Sequence, residues 1–305
     1  MNLYFAPLEG ITTNVYRTTH AAVFGSCDRY FAPFITPSDN ERVSRKGLRD
    51  VLPEKNEGTT LTVQALTSRS DSFLKFARKV KALGYREINI NLGCPFPRVV
   101  QKGRGAGMLQ DVEALDRFLD GIFSSTDISV SIKTRTGFYS GEEMARLMEV
   151  YNEYPIRELT IHPRAREEFY KGTPDMAAFS LAYNCAKMPV CYNGDIETAQ
   201  DFADICKSYP DLSGVMIGRG AITNPAIFRE IRGGAPLSLS ELVTFSETLM
   251  KNYYAALGSE VFTLQKLKEV WGYMAKNVQN ETKILKGIKK ASSMEAFSFM
   301  VKQIK

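Results

Sequence analysis

Two kinds of hydrophobic pattern alternate along most of this chain. Short apolar runs, rich in β-branched and aromatic residues, predict buried strands. Longer segments between them place apolar residues every three or four positions, which predicts amphipathic helices, as in 71–83, where Gly84 follows as a stop signal. The pattern predicts further helices at 111–123 and 141–151, and eight strands at residues 2–7, 29–34, 61–66, 87–91, 128–133, 158–162, 188–193 and 214–218.

Eight alternating strand and helix units predict an α/β fold of the (β/α)8 TIM-barrel class, which typically needs about 250 residues. An open doubly wound sheet is the alternative, and it is less favoured because no Gly-x-Gly-x-x-Gly follows the first strand. Glycine and proline at 232–236 mark a boundary, after which only helical periodicity remains. We therefore expect a catalytic barrel at 1–236 and a small all-helical domain at 237–305.

The charge of the chain is mildly basic, with 39 Lys and Arg against 34 Asp and Glu, for a net charge of +5. The segment 241–305 holds ten Lys, six Glu and neither Arg nor Asp, and its lysines are densest at 283–290. A solvated helix face explains this cluster most simply. A surface that contacts a phosphate backbone is the sharper alternative.

The cysteines and the hydropathy of the chain exclude several classes of protein. The five cysteines are an odd number without Cys-x-x-Cys spacing, which argues against a zinc site or a disulfide framework and for a reducing cytoplasm. No run of eighteen apolar residues and no signal-peptide pattern is present. We expect a cytoplasmic monomer that needs neither a metal nor a membrane.

Candidate chemistry lies where the predicted strands end, because barrel enzymes assemble their sites at the C-terminal ends of strands. Cys94 stands in Asn91-Leu92-Gly93-Cys94-Pro95 after the fourth strand, and a glycine-rich run at 102–107 follows. A small buried hydrophobe is the usual interpretation of a lone cysteine. The flanking glycine and proline instead favour a turn that presents the thiol.

Two glycine-containing loops follow the last two strands, at 192–195 and 217–221. Glycines let backbone N–H groups approach an anion closely, and Arg219 adds a charge. Barrels often bind a ligand phosphate in these two loops, although tight turns are the plainer interpretation.

Other polar residues at strand ends are candidates with open alternatives. Lys133 would point into the mouth and need an anion there, or lie on the surface. His162 is a structural residue or, beside Arg164 and Arg166, part of a site for an anion or a base. Gln64 could bind a planar heterocycle or satisfy backbone groups, and His20 receives no role. A phosphate-bearing cofactor, a cation and a thiol without a metal suit a flavin mononucleotide (FMN) enzyme with cysteine as proton donor.

At these residues the chain resembles the bacterial-type, FMN-dependent tRNA-dihydrouridine synthase family. The matching segments occur in family order, and the family also adds a small helical domain after its barrel. The matching segments are Ala6-Pro7-Leu8-Glu9-Gly10-Ile11-Thr12, Asn91-Leu92-Gly93-Cys94-Pro95, Ile132-Lys133-Thr134-Arg135-Thr136-Gly137, His162-Pro163-Arg164-Ala165-Arg166, Asn193-Gly194-Asp195-Ile196 and Met216-Ile217-Gly218-Arg219-Gly220-Ala221.

The resemblance implies an oxidoreductase that acts on a CH–CH group with NADPH. Hydride would pass from flavin N5 to C6 of a flipped-out D-loop uracil in tRNA, Cys94 would protonate C5, and Lys133 would stabilise reduced flavin. If the substrate is tRNA, we expect RNA contacts from basic residues chosen by charge and position, namely Arg98, Arg135, Arg164, Arg166, Lys286, Lys289 and Lys290. The resemblance implies FMN contacts from Pro7, Leu8, Glu9, Gln64, Lys133, Asn193, Gly194, Asp195, Gly218 and Arg219, with His162 nearby.

Four features of the sequence depart from the family pattern. They are Glu9, the segment Phe96-Pro97-Arg98, Pro163 with Ala165, and the absence of a tryptophan after Tyr170-Lys171-Gly172. Two other functions stay open on the residues alone. One is an FMN-dependent oxidoreductase of a free pyrimidine or dihydroorotate, which would not need the basic helical tail. The other is a non-catalytic RNA-binding barrel.

Overall fold

The fold is a closed barrel of eight parallel strands, each paired with its neighbours in chain order. The structure is a computed structural model that describes residues 1–37 and 45–304. The barrel closes because β1 also pairs with β8. All eight strands expected from the sequence are confirmed, as β1 Asn2–Phe5, β2 Arg29–Phe31, β3 Leu61–Ala65, β4 Glu87–Leu92, β5 Ser129–Gly137, β6 Leu159–Ala165, β7 Val190–Tyr192 and β8 Gly214–Ile217.

Helices follow the strands around the outside of the barrel, and four more helices end the chain. None of the helices in the described residues is long and apolar enough to cross a membrane. They are α1 Asn14–Val23, α2 Arg45–Asp50, α3 Ser70–Ala82, α4 Pro97–Val100, α5 Val112–Phe123, α6 Met144–Tyr151, α7 Met176–Cys185, α8 Ala199–Ser208, α9 Arg219–Thr223, α10 Ile227–Ile231, α11 Leu239–Leu257, α12 Glu260–Met274, α13 Glu281–Lys290 and α14 Met294–Val301.

Two strands run further than the sequence predicts. We expected strand ends at Lys133 and His162, but β5 continues to Gly137 and β6 to Ala165. The polar side chains interrupt the apolar pattern without ending the strands, because they face the mouth of the barrel rather than its helices. The extended pair has a register shift between Arg135 and Gly137. This overrun places two arginines, at 135 and 164, inside the barrel rim.

The C-terminal helices pack directly on the barrel. The ring centroid of Phe245 in α11 lies 5.7 Å from that of Tyr16 and 5.1 Å from that of Phe24, both on the α1 side of the barrel. Trp271 of α12 is fully buried. At the junction, Arg229 of α10 forms a salt bridge with Glu241 of α11 at 2.6 Å. The apolar core therefore continues from the barrel into these helices.

We expect Phe245→Ala to lower the free energy of unfolding by about 3–5 kcal/mol, because it leaves a cavity between α11 and α1. Urea titrations followed by the fluorescence of Trp271, the sole tryptophan, and by circular dichroism should give one shared midpoint, moved downward. Phe299→Ala is the matched control, since that ring is 64% exposed. Separate midpoints for the two signals would contradict a continuous core.

Candidate active site

A cavity of about 270 Å³ opens at the C-terminal ends of the strands. It collects residues that lie in or just after β1, β2, β4, β5, β6, β7 and β8, far apart in the sequence. The predicted site residues that line it are Cys94 and, from the cofactor set, Pro7, Leu8, Glu9, Lys133, His162, Asn193, Gly194, Asp195, Gly218 and Arg219. Gln64 does not line it. The strand-end rule therefore found most of one continuous site.

Cys94 is held from two sides just beyond β4. The side-chain oxygen of Asn91 accepts hydrogen bonds from the backbone N–H groups of Gly93 and Cys94, at 3.0 and 2.9 Å. On the other side, Gly105 has a φ of +55°, and a Cβ there would lie 2.9 Å from Cys94 Cβ. Burial raises the pKa of the Cys94 thiol above its usual range. The thiol is therefore fixed in the cavity wall in its protonated form at neutral pH.

A ladder of hydrogen bonds inside the barrel supports Asn91. Its amide donates to Gln64 Oε1 at 2.7 Å, and Gln64 donates to Asn89 Oδ1 at 2.8 Å. Asn89 then donates to Ser131 Oγ at 2.9 Å, and Ser131 to Glu87 Oε1 at 2.7 Å. Gln64 is fully buried in this ladder. The structure thus places Gln64 beneath the cavity, as a support for the cysteine loop, rather than on its wall.

Lys133 lines the cavity without a protein partner. Its ammonium makes no hydrogen bond or ion pair with any residue in the described part of the chain, although the residue is only partly exposed, and a largely desolvated cation without a partner is costly. Burial first, and then the charge of Arg135, lower the pKa of Lys133 to about 7. An anion bound in the cavity would restore the charged form. The site therefore fits a ligand that carries or develops negative charge.

Arg164 and Asp195 form the polar frame behind His162. The fully buried guanidinium of Arg164 contacts Asp195 Oδ2 at 2.5 Å, and Asp195 Oδ1 accepts from Arg219 at 2.7 Å. Burial alone would raise the pKa of Asp195, but the hydrogen bonds from Arg164 hold it below its usual range. Burial, with Arg135 and Lys133 nearby, holds the pKa of His162 well below its usual range. His162 is therefore neutral at physiological pH.

Four aromatic residues of the cavity were not among the predicted site residues, namely Phe34, Phe96, Tyr170 and Tyr273. The Tyr170 ring stacks on His162 at 5.9 Å, and the guanidinium groups of Arg135 and Arg219 lie 5.3 and 5.2 Å from its centroid. Its position beside the His162 segment was the available signal. Tyr273 comes from α12. No local pattern distinguishes it from an ordinary helix residue.

The side chains predicted to contact RNA fall into a buried group and a solvent-exposed group. Arg135 and Arg164 are 1% and 0% exposed and donate to backbone carbonyls, so neither lies on the outer surface of the protein. Arg135 lines the cavity, whereas Arg164 does not, and contact of either with RNA stays a prediction. Arg166 is mostly buried and donates to the Pro95 carbonyl at 3.2 Å. Arg98 has a side chain that is 77% exposed at the cavity rim. The remaining three predicted contacts, which are exposed on α13, are Lys286, Lys289 and Lys290.

The glycines at 194 and 218, after β7 and β8, are explained by different neighbours. A Cβ at Gly194 would lie 1.9 Å from the Tyr192 hydroxyl, so glycine is required there by the protein itself. A Cβ at Gly218 would meet only Ala6 and Leu8, at 3.5 and 3.9 Å. All three of these last residues line the cavity. Protein packing does not demand glycine at 218, and its missing side chain widens the cavity, which fits a bound cofactor.

Comparison with known proteins agrees with this geometry. The family model described as "Dihydrouridine synthase (Dus)" matches residues 4–301, from the first strand to the last helix. The chain belongs to the dihydrouridine synthase family. The resemblance seen in the sequence motifs is thereby confirmed over both the barrel and the C-terminal helices.

Curated relatives in this family include several tRNA-dihydrouridine synthases B. That of Xanthomonas campestris is 27% identical over 257 residues, covering 80% of this chain and 74% of the relative. That of Pseudomonas aeruginosa is 26% identical over 288 residues, covering 90% and 83%. That of Pseudomonas syringae is 31% identical over 233 residues, covering 75% and 67%.

Solved structures with the same fold are more distant. Morphinone reductase is 12% identical with a TM-score of 0.53, and the match covers 78% of this chain and 87% of that one. A variant of NCR from Zymomonas mobilis is 14% identical with a TM-score of 0.53, covering 78% and 88%. These likenesses confirm the TIM-barrel fold expected for this dihydrouridine synthase family member.

We expect Lys133→Met to stabilise the cofactor-free protein, and most strongly at low pH. The folded protein releases the Lys133 proton near pH 7, whereas the unfolded chain holds it to about 10.5. Stability of the wild type should therefore rise between these values, and the advantage of the variant should shrink. Urea midpoints at about pH 6, 8 and 10 measure this, with Lys207→Met on the surface as control. An advantage independent of pH would contradict an unpaired, partly buried ammonium at 133.

Proposed function

We propose that this chain is a tRNA-dihydrouridine synthase that reduces the C5–C6 double bond of a D-loop uridine in tRNA. One observation carries the proposal. In a chain that matches the family model over residues 4–301, a protonated thiol, an unpaired lysine and a neutral histidine line a single cavity at the barrel mouth. The reaction needs a proton donor beside a site for an electron-rich cofactor, and the cavity offers both.

FMN is the cofactor that the cavity fits best. Pro7, Leu8 and Glu9 on one side, and the loops at 193–195 and 218–219 on the other, would hold it, with the open position at Gly218 as room for the group. When bound and reduced by NADPH, it supplies hydride to C6 of the uracil. Lys133 would face the negative charge that accompanies reduction, which returns the ammonium to its charged form.

Cys94 is the proton donor to C5 in this proposal. A thiol acts as a general acid only while it holds its proton, and burial raises the pKa of Cys94 further above neutrality. After transfer, the same raised pKa favours recovery of a proton from water. Asn91 and Gly105 hold the thiol in the cavity wall, so proton donation does not require a prior rearrangement of the cysteine loop.

The target uracil must leave its base stack to reach this cavity, because a stacked base cannot lie against a buried cofactor. Phe96 and Tyr170 line the rim and are 44% and 47% exposed, so either ring could stack on the extruded base or its neighbour. Arg98 Nη2 lies 3.5 Å from Glu9 Oε1 at the same rim. Two of the departures from the family pattern therefore face each other, and a tRNA phosphate would compete with Glu9 for Arg98.

Residues 237–305 are proposed as the tRNA-binding helical domain. Their exposed lysines on α13 would meet the phosphate backbone beside the cavity. The same helices also complete the cavity, since Tyr273 of α12 lines it and Lys266 of α12 donates to the Gly10 carbonyl at 2.9 Å. Deleting the segment would therefore damage the cavity as well as the RNA surface, so point variants separate tRNA from small substrates better than truncation.

Cys94→Ala should retain flavin and lower turnover on tRNA by about 10²–10⁴-fold, the usual contribution of a general acid. The measurement is a map of dihydrouridine positions in total tRNA from cells that lack the gene, rescued with the wild type or the variant. We expect the wild type alone to restore the missing position. Unchanged modification in the deletion, with related enzymes also removed, would direct the search to free pyrimidines as substrate.

Reversing Lys286, Lys289 and Lys290 to Glu should weaken tRNA binding and reduce the slope of log affinity against log salt by about two to three. The control reverses Lys55, Lys187 and Lys207, which precede strands at the opposite end of the barrel. Both triple variants change the formal net charge from +5 to −1, that is by −6. If the two variants lose affinity equally, the loss comes from the change in net charge. The lysines of α13 would then be a solvated helix face rather than an RNA-binding surface.

A further inference from the structure

We propose that Arg164 is a positioning residue that fixes His162 as the neutral tautomer protonated on Nδ1. The histidine would then present an N–H donor to the cavity rather than an acceptor. Arg164 does not line the cavity, so it would act through the two cavity residues that it contacts, His162 and Asp195. The tautomer follows from the protein alone, whereas its use in catalysis rests on the proposed function.

The hydrogen bonds of Arg164 determine the tautomer. A guanidinium has five N–H donors and no acceptor. Nε donates to the Lys171 carbonyl at 3.0 Å, and Nη2 donates to the Gly172 carbonyl at 2.6 Å and to Asp195 Oδ2 at 2.5 Å. Nη1 contacts Asp195 Oδ1 at 3.2 Å and His162 Nε2 at 3.1 Å. All five donors are thus assigned, and one of them points at His162 Nε2.

His162 Nε2 must therefore be the acceptor. A proton on Nε2 would place two N–H donors against each other inside the barrel, where neither could turn to water. The neutral ring keeps one proton, so it resides on Nδ1. Other cations around the ring also oppose a second proton, namely Lys133 and Arg135 of β5 and Arg219 after β8. The carboxylate of Asp195 pairs with Arg164 and Arg219, and no hydrogen bond joins it to the ring among the residues that the structure describes.

Nδ1 has no hydrogen-bond partner among the residues that the structure describes, although His162 lines the cavity. An N–H there matches a carbonyl oxygen. Two sources of that chemistry would enter this cavity, the pyrimidine ring of the flavin and the uracil of the substrate. In either case the donor becomes more favourable as negative charge develops on the oxygen during reduction.

His20, the only other histidine, supplies an internal reference. Its Nε2 lies 2.8 Å from the Pro225 carbonyl, which can only accept, so Nε2 carries the proton. Its Nδ1 lies 2.8 Å from the Tyr30 hydroxyl and accepts from it. The two histidines of the chain should therefore be opposite tautomers.

The experiment is a long-range ¹H–¹⁵N correlation spectrum of the full chain labelled with ¹⁵N-histidine, at neutral pH. His162→Gln identifies the signals. We expect His162 protonated on Nδ1 and His20 on Nε2. A His162 ring protonated on Nε2, or on both nitrogens, would overturn the proposal. This measurement needs neither tRNA nor turnover, so it remains informative if the proposed function fails.

Variants then separate positioning from folding. In Arg164→Met the His162 proton should move to Nε2, and kcat/KM on tRNA should fall at least about tenfold. Asp195→Asn is the matched control, because it disturbs the same frame but keeps the Arg164–His162 bond, so the Nδ1 proton should stay. Loss of activity in Arg164→Met with the Nδ1 proton still in place would reduce Arg164 to a structural residue.

Ligands distinguish the two carbonyl sources. A shift of the His162 Nδ1 signal on addition of FMN alone would assign the donor to the flavin. A shift that appears only when uridine monophosphate is added to the FMN-loaded protein would assign it to the substrate base. No shift with either would overturn the role of His162 as a donor to the cavity.

Discussion

Four cationic side chains meet at the mouth of the barrel, and the neighbouring carboxylates do not neutralise them all. Asp195 is shared by Arg164 and Arg219, while Arg135 is satisfied by carbonyls and by the face of Tyr170. Lys133 alone has no partner in the described structure. Buried charge of one sign is tolerated only when an opposite charge can approach, so the whole rim is arranged for an anionic ligand. Burial first, and then the same surplus of positive charge, lower the pKa of Lys133 and hold the pKa of His162 low enough to keep its ring neutral.

Much of this architecture could be predicted from the sequence, for identifiable reasons. A barrel brings all strand ends to one rim, so Cys94, Lys133, His162 and the loops after β7 and β8 could be gathered into one site from their positions alone. Each of these residues is polar or flexible where the apolar pattern stops. The end of the apolar pattern is a local feature, and local features can be detected in a single sequence.

Other features could not be predicted, because they depend on partners that are distant in sequence. Gln64 looks like a site residue at a strand end, yet Asn89 and Asn91 take up its amide below the cavity. Arg164 resembles a surface contact until β6 is seen to continue past His162. Tyr273 reaches the cavity only because α12 packs across the barrel mouth. In each case the tertiary arrangement decides which side of a residue faces the ligand.

The hydrogen-bonded ladder beneath Cys94 has a consequence for how this sequence can evolve. Its side chains donate in one direction, from Asn91 down to Glu87, and each rung satisfies the next. Replacing one rung orphans a buried donor above it and a buried acceptor below it. A single substitution at one of these positions should therefore be destabilising. Among relatives, we expect the residues of the ladder to co-vary, so that all of them are kept or all of them are replaced.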